Sequence, residues 1–135
     1  MRLHGHGYVV EVSLAAEETN EYGFVVDYNE LKVFDEYVQS RCDHRHLNDV
    51  FTFQPTAENL ARHFYEWISG TQSWPLLAVR VSETGKTWAE YRLPEKVKAV
   101  NLHVQLETEI QVGCSQPTFD EIRKLFRDDC QPFRY

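Results

Sequence analysis

No apolar run in this chain approaches the ~18 residues that a membrane-spanning helix needs, and no signal-peptide pattern opens it. Cysteine is scarce. Cys42, Cys114 and Cys130 are an odd count without metal-type spacing, which suits a reducing compartment better than a disulfide framework. The expected address is therefore the cytoplasm. Positive charge is also short: 14 Lys and Arg against 21 Asp and Glu leave a formal net charge of −7, which argues against nucleic acid as the main partner. There is no internal repeat and no low-complexity tract. What remains is 135 residues with 42% hydrophobic and 26% charged content, ordinary proportions for one globular domain with a sizeable core.

The informative stretch is Leu3-His4-Gly5-His6-Gly7-Tyr8-Val9-Val10-Glu11-Val12. Strand side chains alternate between faces, so His4 and His6 share the face of Tyr8, Val10, Val12 and Leu14. At the usual rise the two histidines stand about 7 Å apart along the strand. They can converge on one ion, and zinc suits neutral imidazole nitrogen. A bare His-x-His pair is read equally well as packed or solvated histidines.

Residues 6–16 are expected as the first strand, and 17–23 as a polar turn. Asp27 is placed to cap a helix running to about Arg41, with Glu30 in a capping box and Leu31, Phe34 and Val38 as its apolar stripe. Cys42 then reads as a small apolar residue ending that helix, and Asp43-His44 begins a polar loop. Neighbours in sequence, these two cannot easily bond each other directly, but both can line one pocket and move protons. Arg45 and His46 read as solvated. Thr56 caps a second helix with Leu60, Phe64, Trp67 and Ile68 on its apolar face, closed at Ser69-Gly70. His63 lies off that stripe and is expected at the surface. Leu77, Val79 and Val81 share one face of the next strand, and Glu83 continues it. Thr84-Gly85-Lys86 turns the chain into an antiparallel partner over 87–92. From Val100 to Val112 the even positions are apolar save Thr108 and the odd ones polar, a half-buried strand. Thr118-Phe119-Asp120-Glu121 would open a final short helix.

Leu3-His4-Gly5-His6-x-Tyr8 closely resembles the core motif of the 6-pyruvoyl- and 6-carboxy-tetrahydropterin synthases. Further matches follow in family order: Gly23-Phe24-Val25-Val26-Asp27-Tyr28 with Leu31-Lys32, Asp43-His44 with Leu47-Asn48, Pro55-Thr56-Ala57-Glu58-Asn59, and Val81-Ser82-Glu83-Thr84 with Tyr91. The resemblance covers about residues 2–92, leaving 94–135 as a C-terminal strand-helix extension of a single domain, 1–135. It implies an α+β tunnelling fold (T-fold), an antiparallel sheet with helices on one face, in which the 100–112 strand takes the place of the family's first strand or extends the sheet. It also implies a homo-oligomer, a trimer or dimer of trimers, with sites shared between neighbours.

By the same resemblance the chain is a Zn2+-dependent lyase acting on a small-molecule pterin, 7,8-dihydroneopterin triphosphate. The 6-carboxy product of deazapurine (queuosine) synthesis is favoured over the 6-pyruvoyl one. His4 and His6 would be metal ligands, Asp43 and His44 catalytic proton carriers, and Glu83 and Thr56 substrate-binding residues, the glutamate gripping the 2-amino and ring N–H edge. In the family a third zinc histidine lies on an earlier strand, and a catalytic cysteine sits four residues before His-Gly-His, a position that here falls before Met1. His103 on a polar strand face and His44 in its own role are poor replacements for the ligand. Two expectations follow: a start assigned too late, or a homologue that binds pterin or purine without turnover.

Overall fold

Tyr8, Val10, Val12 and Leu14 are buried while Val9, Glu11 and Ser13 between them are only partly covered, the two-faced pattern that an extended strand produces. In the computed structural model, which describes residues 3–93 and 102–115, that strand is β1, Leu3–Ala16. It starts earlier than the expected 6–16 and so carries His4 and His6. Asn20 organises the following turn, its Oδ1 accepting from the N–H groups of Tyr22 and Phe24 at 3.0 Å each. Gly23 sits there at φ 86°, a conformation open to glycine and strained for most other residues.

Helix α1 spans Tyr28–Cys42. The Oδ1 of Asp27 accepts from the Asn29 N–H at 2.8 Å and caps it. Leu31, Phe34, Val38 and Cys42 are its buried residues. A single turn, α2, Leu47–Val50, stands where sequence reasoning expected only loop. Helix α3, Ala57–Thr71, is capped by the Thr56 hydroxyl accepting from the Asn59 N–H at 3.3 Å. It runs through Ser69-Gly70, the expected stop, because Thr71 closes it by donating to the Trp67 carbonyl at 2.7 Å. Strands β2, Leu76–Thr84, β3, Thr87–Tyr91, and β4, Leu102–Ser115, complete the sheet. The final expected helix lies outside the described residues.

The sheet order is β3-β2-β1-β4, antiparallel throughout. With the helices on one face this is the α+β architecture that the resemblance implied. β4 pairs with β1 along its whole length, from Leu3 opposite Ser115 to Ala16 opposite Leu102. The alternation expected of this strand holds: Thr108, Ile110 and Val112 are buried, and Gln105, Glu107, Glu109 and Gln111 are exposed.

Two expectations are corrected. Leu77 was assigned to the core face, but Ser13 pairs with Ala78 and Leu14 with Leu76. The extra residue is a bulge that shifts parity, so Leu76 joins Val79 and Val81 in the core instead. His63 was expected at the surface. It is half-buried, its ring close to those of Phe51, Phe53 and Phe64, with Nε2 2.9 Å from the Tyr37 hydroxyl. The loop carrying Phe51 and Phe53 folds back over that side of α3, a contact no helical periodicity encodes.

Phe34 and Phe64 meet edge to face at 5.8 Å between ring centroids, joining α1 to α3 over the sheet, and both are fully buried. Phe64→Ala is expected to lower unfolding free energy by about 3–5 kcal/mol. Val33→Ala, on the exposed side of α1, should stay within about 0.5 kcal/mol. Urea denaturation of both variants reads the difference.

Candidate active site

β1 brings the two histidines to one end of the sheet. Their ring centroids lie 4.4 Å apart. His6 Nδ1 is in ion-pair contact with Glu83 Oε1, while His6 Nε2 is buried with no hydrogen-bond partner. A histidine that ligates a metal commonly donates one ring N–H to a carboxylate and keeps the other nitrogen's lone pair for the ion. His6 is arranged in that way, and its orphaned nitrogen fits a zinc ligand. Among the described residues no group of three His, Cys, Asp or Glu side chains is disposed to hold an ion.

Asp43 and His44 follow α1 immediately. Sequence reasoning held that these neighbours could not easily bond each other, and the structure corrects this: His44 Nδ1 donates to Asp43 Oδ2 at 2.8 Å. The cause is backbone. His44 adopts φ 54°, the left-handed region that non-glycine residues enter at a cost. β4 holds it there. The His44 N–H donates to the Gln111 carbonyl at 2.6 Å, the Gln111 N–H to Asp43 Oδ1 at 3.0 Å, and the Gly113 N–H to the Arg45 carbonyl at 2.9 Å. His46 and Gly113 form a parallel bridge, so residues 43–46 add a short rung to the outer edge of β4.

The Gln111 N–H first, and then His44, hold the Asp43 carboxyl below its usual range. The carboxylate is bonded at Nδ1 of His44, and Nε2 is the ring nitrogen on the side away from it. The His44 side chain is 80% exposed. With His4, His6, Arg45, His46 and Gln111 it lines a cleft of about 510 Å³. His46, expected to be solvated, is half-buried, with Nδ1 3.1 Å from Asp49 Oδ2. Cys42 ends α1 as expected, fully buried, and burial pushes its thiol up to about 12. It is a protonated, apolar group.

Glu83 and Thr56 meet in a second cleft, about 280 Å³, with Ala57, Glu58 and Trp88. Ser82 pairs with Trp88 and Thr84 with Thr87, so Glu83 sits in a bulge at the hairpin end. From there its carboxylate reaches His6 and links the two clefts. The Thr56 hydroxyl is already engaged in the α3 cap. Gln111 and Gly113, which position the Asp43-His44 pair, were not foreseen. The alternation of 100–112 announced a strand but not its neighbour.

A model of the 6-pyruvoyl tetrahydropterin synthase family matches residues 1–94. The chain belongs to this family. Among curated relatives, a 6-carboxy-5,6,7,8-tetrahydropterin synthase of Bacillus subtilis is 32% identical over 107 residues, covering 70% of each chain. A 6-pyruvoyl tetrahydrobiopterin synthase of Drosophila melanogaster is 31% identical over 104 residues, covering 72% of this chain and 62% of its own length. One of that name from Dictyostelium discoideum is 32% identical over 94 residues, covering 66% of this chain and 70% of its own. A tetrahydropterin synthase-like role in pterin chemistry follows from these relationships. No helix of the described residues is long and apolar enough to cross a membrane.

The backbone of His44 yields a stability test. His44→Val puts a β-branched residue at positive φ and should cost on the order of 1–3 kcal/mol, whereas His44→Gly should cost far less. Asp43 releases its proton more readily folded than unfolded. Its contribution is therefore present above the ordinary carboxylate pKa and is lost as pH falls through the lowered value. Urea titrations from neutral pH into the acid range should show a shallower acid loss for Asp43→Asn than for the parent.

Proposed function

We propose that the chain is a zinc-dependent lyase of the pterin pathway acting on 7,8-dihydroneopterin triphosphate, with 6-carboxy-tetrahydropterin synthase chemistry leading to deazapurines such as queuosine. The observation that carries this reading is the convergence, on one cleft, of His6 with its buried, unbonded Nε2 and of His44, which is bonded to Asp43 behind it. His4 and His6 would hold the zinc, which supplies Lewis acidity toward side-chain hydroxyl and carbonyl oxygens. His44 takes a proton at Nε2 from the substrate side chain and returns it, while Asp43 fixes the ring and stabilises the imidazolium. Glu83 accepts two parallel hydrogen bonds from the 2-amino and ring N–H edge of the pterin, at the junction of the clefts. Thr56 lines the same cleft as Glu83 and shapes the substrate's seat. The 6-pyruvoyl product is the alternative outcome of the same site.

A second reading, a pterin- or purine-binding homologue without turnover, is favoured by the chemistry of Cys42. A buried thiol pushed up to about 12 is no thiolate at neutral pH, so this residue does not replace the family's catalytic cysteine. Turnover of dihydroneopterin triphosphate with added zinc tests both. Glu83→Ala should abolish pterin binding, since losing a charged hydrogen-bonded contact costs about 1.5–3 kcal/mol or more. His44→Ala should spare binding and remove turnover, and Cys42→Ala should change neither. Tight pterin binding with no turnover, in this chain and in one extended upstream, would favour the binding protein.

A cytoplasmic homo-oligomer, trimer-based, completes the proposal. β3 presents an unpaired outer edge among the described residues, and such edges are commonly covered or paired. Light scattering at micromolar concentration should give a multiple of 15.9 kDa; a monomer would count against shared sites.

A further inference from the structure

We propose that Arg45 binds the triphosphate tail of the substrate and so fixes the direction in which the pterin enters the two joined clefts. The inference rests on the pterin reading above and deepens it, adding a residue for the one part of the substrate that Glu83, His6 and His44 leave unaddressed. Charge divides the site. The cleft around Glu83 is lined by two carboxylates, Glu58 and Glu83, and by no described lysine or arginine. The cleft around His6 is lined by Arg45 and by no described carboxylate. Glu83 is in contact with His6 and joins the two, so the combined site has an acidic end and a cationic end. A pterin triphosphate has the matching polarity: an N–H edge that a carboxylate accepts from, and a polyanion at the far end of its side chain. The opposite orientation would set the polyanion against Glu58 and Glu83, where like charges repel. In a chain of net charge −7, a local cation is needed to draw such a ligand in.

The structure also holds Arg45 in place for this contact. Its N–H donates to the Cys42 carbonyl at 3.2 Å, and its carbonyl accepts from the Gly113 N–H at 2.9 Å. Its Nε donates to the Ser40 carbonyl, in the last turn of α1, at 3.1 Å. Backbone and guanidinium are thus anchored together, although the residue is exposed. Arg62, Arg80 and Arg92 are each paired with a glutamate. No described carboxylate pairs with Arg45 in that way. A guanidinium is always charged, and its terminal N–H groups form a planar fork that fits phosphate oxygens. Arg45 directly follows His44, so the tail would lie next to the proton carrier. The order Glu83, His6, His44, Arg45 then repeats the order of the substrate's own groups: ring edge, side-chain hydroxyls, triphosphate.

Two fluorescent oxidised ligands, neopterin and neopterin triphosphate, test this by equilibrium anisotropy on the full chain, without any assay of turnover. The parent should bind the triphosphate more tightly, and added salt should erode that advantage. Arg45→Ala should weaken neopterin triphosphate by about 10–100-fold, the equivalent of a lost charged hydrogen bond, and leave neopterin unchanged. Arg45→Lys should recover part of the loss, since it restores the charge without the fork. Arg62→Ala, on the exposed side of α3, should change neither ligand. Inorganic triphosphate should displace neopterin triphosphate and spare neopterin. Equal affinity for neopterin triphosphate in the parent and Arg45→Ala, or an equal loss of both ligands in that variant, overturns the assignment of Arg45 and leaves the pterin reading standing. A parent chain that binds neither ligand overturns both.

Discussion

The pairing of β4 with β1 is the interaction on which the site depends. It is a full-length antiparallel ladder, Leu3 opposite Ser115 through Ala16 opposite Leu102. One edge of β4 holds the strand that bears His4 and His6, and its other edge holds residues 43–46 through Gln111 and Gly113. β4 is thus the spacer between the histidine pair and the Asp43–His44 pair. A slip of one residue would send every side chain of β4 to the opposite face and would re-aim the Asp43-His44 loop. Here that slip is resisted by Ile110 and Val112 in the core, and by the Thr108 hydroxyl donating to Asp35 on α1 at 3.1 Å.

The same strand stores and repays backbone strain. His44 at φ 54° is in a conformation its side chain opposes, yet its N–H donates to Gln111 at 2.6 Å and its neighbour's carboxylate accepts from Gln111 in return. Two backbone groups of one strand residue therefore fix both members of the pair. The electrostatic result is a carboxylate held ionised beside an imidazole whose outer nitrogen faces the cleft. One residue away, burial takes Cys42 in the other direction and keeps its thiol protonated. Adjacent positions in sequence acquire opposite chemistry because one leaves the helix toward solvent and the other points beneath it.

Much of the fold could be read from the chain because its local signals agree with the tertiary structure. Asp27 and Thr56 cap the helices where their side chains predict. Tyr8, Val10, Val12 and Leu14 point one way, as alternation demands. The readings that failed share a cause. Leu77 lost its place in the core to a bulge, His63 was enclosed by the Phe51-Phe53 loop, and α2 formed in a polar stretch. Each depends on a contact distant in sequence, to which no local pattern is sensitive.

The sequence by itself determined the two long helices and the strands, the face that carries His4 and His6, and, through its ordered motifs, the family. These follow from the period of the side chains and from residue types at fixed spacing, which act within a turn or a strand. Only the tertiary structure decided that residues 102–115 lie beside β1, that Asp43 and His44 bond each other, and that Glu83 meets His6. Strand order and register are set by which buried faces pack together across the whole chain. A half-buried strand is equally content, locally, at either edge of a sheet, and the choice falls to the core beneath it.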